Sequence, residues 1–254
     1  MEGRQLTAAL QTVNLVKRFG GLVVTDRVSL DIRPGELHAV IGPNGAGKTT
    51  LINQLSGELR CDEGAVVFGG ADVSALAMHQ RARKGLLRSY QITSVFEDFT
   101  AIENAALAAM GARQHAWRFW RPLLADERAR CAAEEAIAAT GLEARAGARA
   151  AELGYGERRQ LELAMALAAQ PELLLLDEPM AGMSAQESTA VTQLLGRLKG
   201  RYTILLVEHD MDAVFALADR VSVLVYGRVI FTGTPAQVRE HAEVRAVYLG
   251  EEST

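Results

Sequence analysis

Gly42-Pro43-Asn44-Gly45-Ala46-Gly47-Lys48-Thr49 satisfies the pattern G-x-x-x-x-G-K-[ST] at every defined position. A short apolar run over 37–41 leads into it, and Leu51, Leu55 and Leu59 recur behind Lys48 at i, i+4 and i+8. The order is strand, glycine-rich loop, helix. Glycines let the backbone curl until successive N–H groups face inward around phosphate oxygens, and the helix N-terminus adds its positive dipole. Lys48 reaches the outer phosphates and Thr49 offers a hydroxyl to Mg²⁺, with Thr50 beside it as a further nucleotide contact. A plain glycine-rich turn before a core helix is the alternative, but it needs neither Lys48 nor Thr49 at those offsets.

Further apolar runs at 173–176, 203–207 and 221–225 read as buried strands separated by helical patterns, which implies a mostly parallel sheet covered by helices. The first ends in Asp177-Glu178, two carboxylates 129 residues after Lys48. Behind such a loop, Asp177 is placed to hold Mg²⁺ indirectly or through Thr49, and Glu178 to polarise water as general base. Residues 101–151 hold 19 alanines and no credible strand, so a helical lobe is expected there. Thr234-Pro235-Ala236-Gln237 combines an N-cap, Pro at the first helical position and a Gln able to close a capping box, so a terminal helix is expected to begin there.

Composition narrows the classes. The 254 residues are 49% hydrophobic and 23% charged, which supplies a core and excludes disorder as the main state. The 27 Lys+Arg against 31 Asp+Glu give a net charge of −4, so the strong positive field of sequence-independent nucleic-acid binding is missing and no nucleic-acid partner is expected. Cys61 and Cys131 have no C-x-x-C partner and no neighbouring His, which argues against a disulfide scaffold or a structural zinc and for a reducing compartment. No apolar run reaches 18 residues and the N-terminus has no apolar core, so neither a membrane span nor a signal peptide is expected.

A second glycine-rich segment, Gly154-Tyr155-Gly156-Glu157, opens a helix in which Leu161, Met165 and Ala168 share a face. One chain thus carries two candidate phosphate cradles, and one γ-phosphate needs both only if a second subunit supplies one of them. A plain helix cap is the alternative.

Taken together, these segments resemble the ATP-binding cassette family, the ATPase subunits of ABC transporters, over essentially the whole chain. The order carries the resemblance: Phe19 before the P-loop, Gln91 closing Arg88-Ser89-Tyr90-Gln91, residues 153–157 ahead of Asp177, and His209 31 residues after Glu178. The resemblance implies a single domain over 1–254, with a P-loop NTPase (RecA-like) α/β core at 1–91 and 159–254, an antiparallel β subdomain, and an inserted helical subdomain at about 92–158. It also implies roles: Phe19 stacks on adenine, Gln91 senses metal and γ-phosphate, and His209 contacts the γ-phosphate. Without that order each has another reading: Phe19 as core, Gln91 as surface, His209 as a satisfied loop histidine. ATP with Mg²⁺ is the implied cofactor. The implied assembly is head-to-tail, the P-loop of one ATPase subunit facing residues 154–157 of a second, homologous or identical one. Transmembrane permease subunits and, indirectly, a periplasmic solute-binding protein complete it at the cytoplasmic face of the inner membrane.

The wording of residues 17–22, Tyr155, residues 177–183, residues 207–211 and Tyr248-Leu249-Gly250-Glu251-Glu252 is similar to branched-chain amino acid importer ATPases of the longer subunit type. Urea and short-amide importers share much of it and the lipopolysaccharide-export ATPase some. Two positions depart from the family pattern: Gly154 where a signature Ser is usual, and Ser184 where many cassettes carry Asp. A DNA-repair or chromosome-organising ATPase needs a long heptad insertion between residues 49 and 153, which is absent. A small-molecule kinase explains residues 42–49 but neither residues 154–157 nor His209. The aromatic and basic cluster of Arg113, His115, Trp117, Arg118, Phe119, Trp120 and Arg121 reads either as a face toward a membrane partner or as aromatics packed under a loop.

Overall fold

The computed structural model describes residues 9–89, 95–112 and 123–249; Gln91, the Arg113–Arg121 cluster and Gly250 onward lie outside them. The strands are β1 (Leu10–Phe19), β2 (Leu22–Ile32), β3 (Leu37–Ile41), β4 (Glu63–Phe68), β5 (Ala71–Asp72), β6 (Leu86–Ser89), β7 (Leu173–Asp177), β8 (Thr203–Val207), β9 (Arg220–Val225) and β10 (Arg228–Gly233). The helices are α1 (Lys48–Ser56), α2 (Met78–Ala82), α3 (Ala101–Ala112), α4 (Glu127–Thr140), α5 (Tyr155–Ala168), α6 (Ala185–Leu198), α7 (Met211–Leu217), α8 (Pro235–Glu240) and α9 (Ala242–Leu249).

Two sheets form. In the larger the order is β10-β9-β3-β8-β7-β6, parallel throughout except for β10. In the smaller, β2-β1-β4-β5, every pairing is antiparallel. The parallel strands bury both faces, as continuous apolar runs require. On β7, Leu174 and Leu176 join the core under the helices, while Leu173 and Leu175 join the core shared with α1 and the antiparallel sheet. Ile204 and Leu206 alternate with Leu205 and Val207 on β8 in the same way. α1 stops one residue short of Gly57, whose φ of +82° suits glycine at a helix end, so Leu59 falls outside the helix that its spacing suggested.

The alanine-rich stretch forms α3 and α4, packed on α5. Buried Ala105, Ala106, Ala109, Ala132, Ala133, Ala136 and Ala164 let the three helices approach closely. Asp126 caps α4, accepting from the amides of Arg128 and Ala129, and Gly141 ends it at φ +79°. Buried Asn104 ties α3 to the segment before it, donating to the carbonyls of Phe96, Phe99 and Thr100 and accepting from the Phe96 amide. α5 runs unbroken from Tyr155 to Ala168, across the expected core boundary at residue 159. A helix begins where Thr234-Pro235-Ala236-Gln237 indicated, with the Thr234 hydroxyl accepting from Gln237 and the Gln237 side chain accepting from Thr234, but it is the short α8, and a separate helix, α9, follows it.

A polar network, buried at Glu36, His38 and Ser222 and reaching solvent at Asp31, fastens the end of β2 to β3, β9 and, through Ser222–Thr232, β10. The Arg220 guanidinium donates to Asp31 at 3.1 Å and to Glu36 at 3.5 Å; Glu36 lies 3.0 Å from His38 Nδ1, and His38 Nε2 lies 2.8 Å from Ser222 Oγ. The Arg220 hydrogen bond holds the Asp31 carboxyl below its ordinary range against the effect of burial. Burial pushes Glu36 up, but hydrogen bonds from His38 and the Arg33 amide, with the charge of Arg220, outweigh it and hold Glu36 low as well. Carboxyls depressed in the folded state contribute stability above their unfolded pKa near about 4, and that contribution is lost as pH falls through the folded values. We expect the thermal midpoint to fall on acidification below about pH 5. Arg220→Met should lower the midpoint at neutral pH and flatten that acid limb, as differential scanning fluorimetry would measure; an unchanged acid profile would contradict the network's role.

Candidate functional site

The sequence 42–49 makes a closed loop between Ile41 at the end of β3 and Lys48 at the start of α1. A Cβ on Gly42 would collide with the Leu224 carbonyl of β9, and one on Gly47, at φ +101°, would meet the Val24 carbonyl of β2 at 2.6 Å. Gly45 also adopts a left-handed conformation, φ +78°. The amide of Ala46 donates to the Pro43 carbonyl at 3.1 Å, and Gly227 in the β9–β10 turn donates to the Ala46 carbonyl at 2.9 Å. α1 has no side-chain cap and no acidic residue in its first turn, so its N-terminal amides suit an anion. Lys48 Nζ donates to the carbonyls of Gly42 at 2.6 Å and Pro43 at 3.1 Å, lying across the mouth of the loop. Asn44, Gly45 and Thr49 are exposed; Pro43 and Thr50 are half-buried.

The carboxyl ends of β3, β8 and β7 are adjacent in the sheet, and hydrogen bonds continue past them. The Glu178 amide donates to the Val207 carbonyl at 2.9 Å and the Glu208 amide to the Val40 carbonyl at 3.4 Å. The topology therefore gathers the P-loop, Asp177-Glu178 and His209 at one sheet edge, the usual ligand position of an open α/β sheet. Asp177 is held by an arginine that the sequence showed only as the first residue of Arg88-Ser89-Tyr90-Gln91. Arg88 Nη2 donates to Asp177 Oδ2 at 2.8 Å, while Nη1 donates to Asn53 at 2.6 Å and Glu58 at 2.7 Å. Glu178 sits at φ +45°, uncommon for a residue with a side chain. The His209 side chain is 60% exposed, its Nδ1 3.7 Å from a carboxyl oxygen of buried Glu208. That exposure leaves the ring able to reach a ligand at the edge.

These residues fit a magnesium nucleotide. Mg²⁺ is held typically by one or two carboxylates together with phosphate oxygens and waters, and Asp177 and the Thr49 hydroxyl are that kind of donor set. Among the described residues no trio of His, Cys, Asp or Glu forms an all-protein metal cage. Phe19 is 51% exposed at the tip of the β1–β2 hairpin, which rules out its core reading, and Lys17 Nζ lies 5.6 Å from its ring centroid.

Residues 154–157 open α5 in the helical lobe. The Glu157 carboxylate accepts from the Gly154 amide at 2.9 Å and lies 3.2 Å from Arg145 Nε. A cavity of about 190 Å³ separates Gly156, Glu157 and Gln160 from Met183, Glu187 and Val191. Gly154 is extended, at φ −65° and ψ 168°, and a Cβ there would meet only Glu157 Oε2 at 3.8 Å, so a serine fits. Ser184, the other departure, caps α6: its hydroxyl accepts from the Glu187 amide at 3.4 Å and donates to the Glu187 carboxylate at 2.7 Å. The Ser-x-x-Glu spacing carried that signal in the sequence.

Comparison with known proteins agrees with this geometry. The ABC transporter family model matches residues 25–181, and the model described as branched-chain amino acid ATP-binding cassette transporter matches residues 228–254. The chain is 38% identical to the high-affinity branched-chain amino acid transport ATP-binding protein LivG of Escherichia coli (strain K12), covering 97% of this chain and all of that one. It is 34% identical to the lipopolysaccharide export system ATP-binding protein LptB of Haemophilus influenzae, covering 96% of this chain and 98% of that one. Among solved structures, the ADP conformation of an ATP-binding cassette of an ABC transporter superposes with a TM-score of 0.83 at 28% identity, covering 96% of this chain and 99% of the other. The chain belongs to the ABC transporter family, whose ATP-binding cassettes are ATPases coupled to transport.

The Arg88–Asp177 pair has side chains only 9% and 11% exposed. Removing one partner of a buried pair costs about 3–5 kcal/mol. Arg88→Met should therefore lower the thermal midpoint markedly, whereas Glu58→Gln, at the exposed end of the same guanidinium, should change it little. Equal midpoints for Arg88→Met and wild type in a scanning calorimeter would contradict the pairing.

Proposed function

We infer that this chain is the ATP-hydrolysing subunit of an importer for branched-chain amino acids or related small polar solutes. The observation that carries the reading is the gathering of the loop 42–49, Asp177-Glu178 and His209 at one edge of the parallel sheet. The similarity to LivG and the family match over residues 228–254 favour an amino acid over the lipopolysaccharide cargo named for LptB.

In this reading the amides of residues 44–49 and Lys48 bind the phosphates, and Thr49, Asp177 and Gln91 hold the magnesium ion. Bound Mg²⁺ supplies charge neutralisation on the phosphate oxygens. Phe19 carries the adenine on its exposed ring. Glu178 orients the attacking water and takes its proton, while His209 steadies the γ-phosphate end. Residues 154–157 lie in the helical lobe at about 92–158 and serve the nucleotide of a second ATPase subunit, identical or homologous. Closure of that pair moves transmembrane permease subunits at the cytoplasmic face of the inner membrane, with a periplasmic solute-binding protein delivering cargo. The described residues include no helix long and apolar enough to cross a membrane.

Glu178→Gln should retain ATP affinity, lose hydrolysis by about 100-fold or more, and accumulate as an ATP-bound dimer in size-exclusion chromatography, alone or with its partner ATPase. Hydrolysis at the wild-type rate would remove Glu178 from the mechanism. Gly154→Ser adds a hydroxyl where a second subunit's γ-phosphate is proposed to sit. A hydrogen bond worth about 1 kcal/mol should tighten ATP-dependent dimerisation about fivefold in analytical ultracentrifugation, and an unchanged dimer constant would contradict that placement.

A further inference from the structure

Glu208 follows β8 and directly precedes His209, and its side chain is buried. One carboxyl oxygen, Oε1, accepts from the Met180 amide at 3.0 Å; the other, Oε2, accepts from the His209 amide at 3.0 Å. Met180 belongs to the turn that follows β7, two residues past Glu178. Among the described residues no lysine or arginine lies within salt-bridge distance of this carboxyl, whose one such contact is His209 Nδ1 at 3.7 Å. Taking a carboxyl group out of water without a cationic partner is costly. An apolar side chain would avoid that cost but would leave the buried Met180 amide and the part-buried His209 amide without this acceptor.

The turn it grips carries backbone strain. Glu178 has φ +45°, and a non-glycine residue keeps such a conformation only where its surroundings over-determine it. The Glu178 amide is held from one side by the Val207 carbonyl, at 2.9 Å. Two residues on, the Glu208 carboxyl holds the same turn through the Met180 amide, and its second oxygen holds the backbone that carries His209. The Glu208 amide, bonded to Val40 at 3.4 Å, ties the clamp to the strand that leads into the P-loop.

We propose that Glu208 is a positioning residue that joins the Glu178 turn and the His209 backbone into one rigid unit, so that water activation and γ-phosphate contact are set together. This rests on the roles given above to Glu178 and His209. A glutamine is isosteric but accepts on one arm only; its NH₂ would oppose either the Met180 or the His209 amide.

The test compares Glu208→Gln, His209→Ala, Glu178→Gln and the double variant Glu208→Gln/His209→Ala in the full chain, in whichever ATPase assembly hydrolyses ATP. Glu208→Gln should lower kcat about tenfold while KM, the affinity for a fluorescent ATP analogue and the thermal midpoint stay close to wild type. Amide exchange at Met180 and His209 should accelerate together. The double variant should be no slower than His209→Ala by more than about twofold, because residues acting as one unit are not additive. A wild-type kcat in Glu208→Gln, or full additivity with His209→Ala, overturns the proposal while Glu178→Gln and His209→Ala stay well below the wild-type rate. If those two variants turn over normally, the reading of the site fails instead. Should Glu208→Gln not fold, exchange in the wild type decides: slow exchange at both amides supports the clamp, and rapid exchange at either overturns it.

Discussion

The loop 42–49 is squeezed between two sheets, and the rest of the molecule is arranged around that squeeze. On one side the Leu224 carbonyl of the parallel sheet leaves no room for a Cβ on Gly42; on the other the Val24 carbonyl of the antiparallel sheet leaves none on Gly47. A loop held this way cannot collapse into an ordinary turn. The uncapped N-terminus of α1 adds its dipole at the loop. The antiparallel sheet contributes more than a lid, because its second strand supplies one wall of the cradle.

The second constraint is the stitching of strand ends by buried polar side chains. Arg88 holds Asp177 while reaching Asn53 at the far end of α1, and Glu208 holds the turn after Glu178 and the backbone of His209. Both groups are expensive to bury, and both make bonds that fix the relative placement of segments distant in sequence. Apolar packing on the two faces of the sheet supplies the stability that offsets these costs, with β3, β7 and β8 buried on both sides. Function is concentrated where the core ends and backbone strain at Glu178 is tolerated.

Much of this was legible from residue types and spacing. The apolar runs became β3, β7, β8 and β9 because a parallel strand buried on both faces needs no alternation. Glycine and lysine spacing found the loop because only those residues suit its backbone and its charge. The capping residue at Thr234 marked a helix start for a local reason. Arg88 and Glu208 were not legible. Their partners lie 89 and 28 residues away at Asp177 and Met180, and a charged residue beside a strand end reads as solvated until the fold buries it. Leu59 misled because its spacing extended past Gly57, whose backbone ends α1. The hydrophobic pattern also gave no sign that Asp31, Arg220, Glu36 and His38 would join one network across three strands.

The claim on which everything else depends is that the cradle is preformed by the two carbonyl walls. Isothermal calorimetry of magnesium nucleotide binding to wild type and Gly47→Ala, with the thermal midpoint of each, addresses it directly. A side chain at φ +101° against Val24 must deform the loop, so affinity is expected to fall by about 100-fold or more with a far smaller relative change in stability. Equal affinity in the two proteins would mean that nucleotide binding does not depend on the squeezed loop.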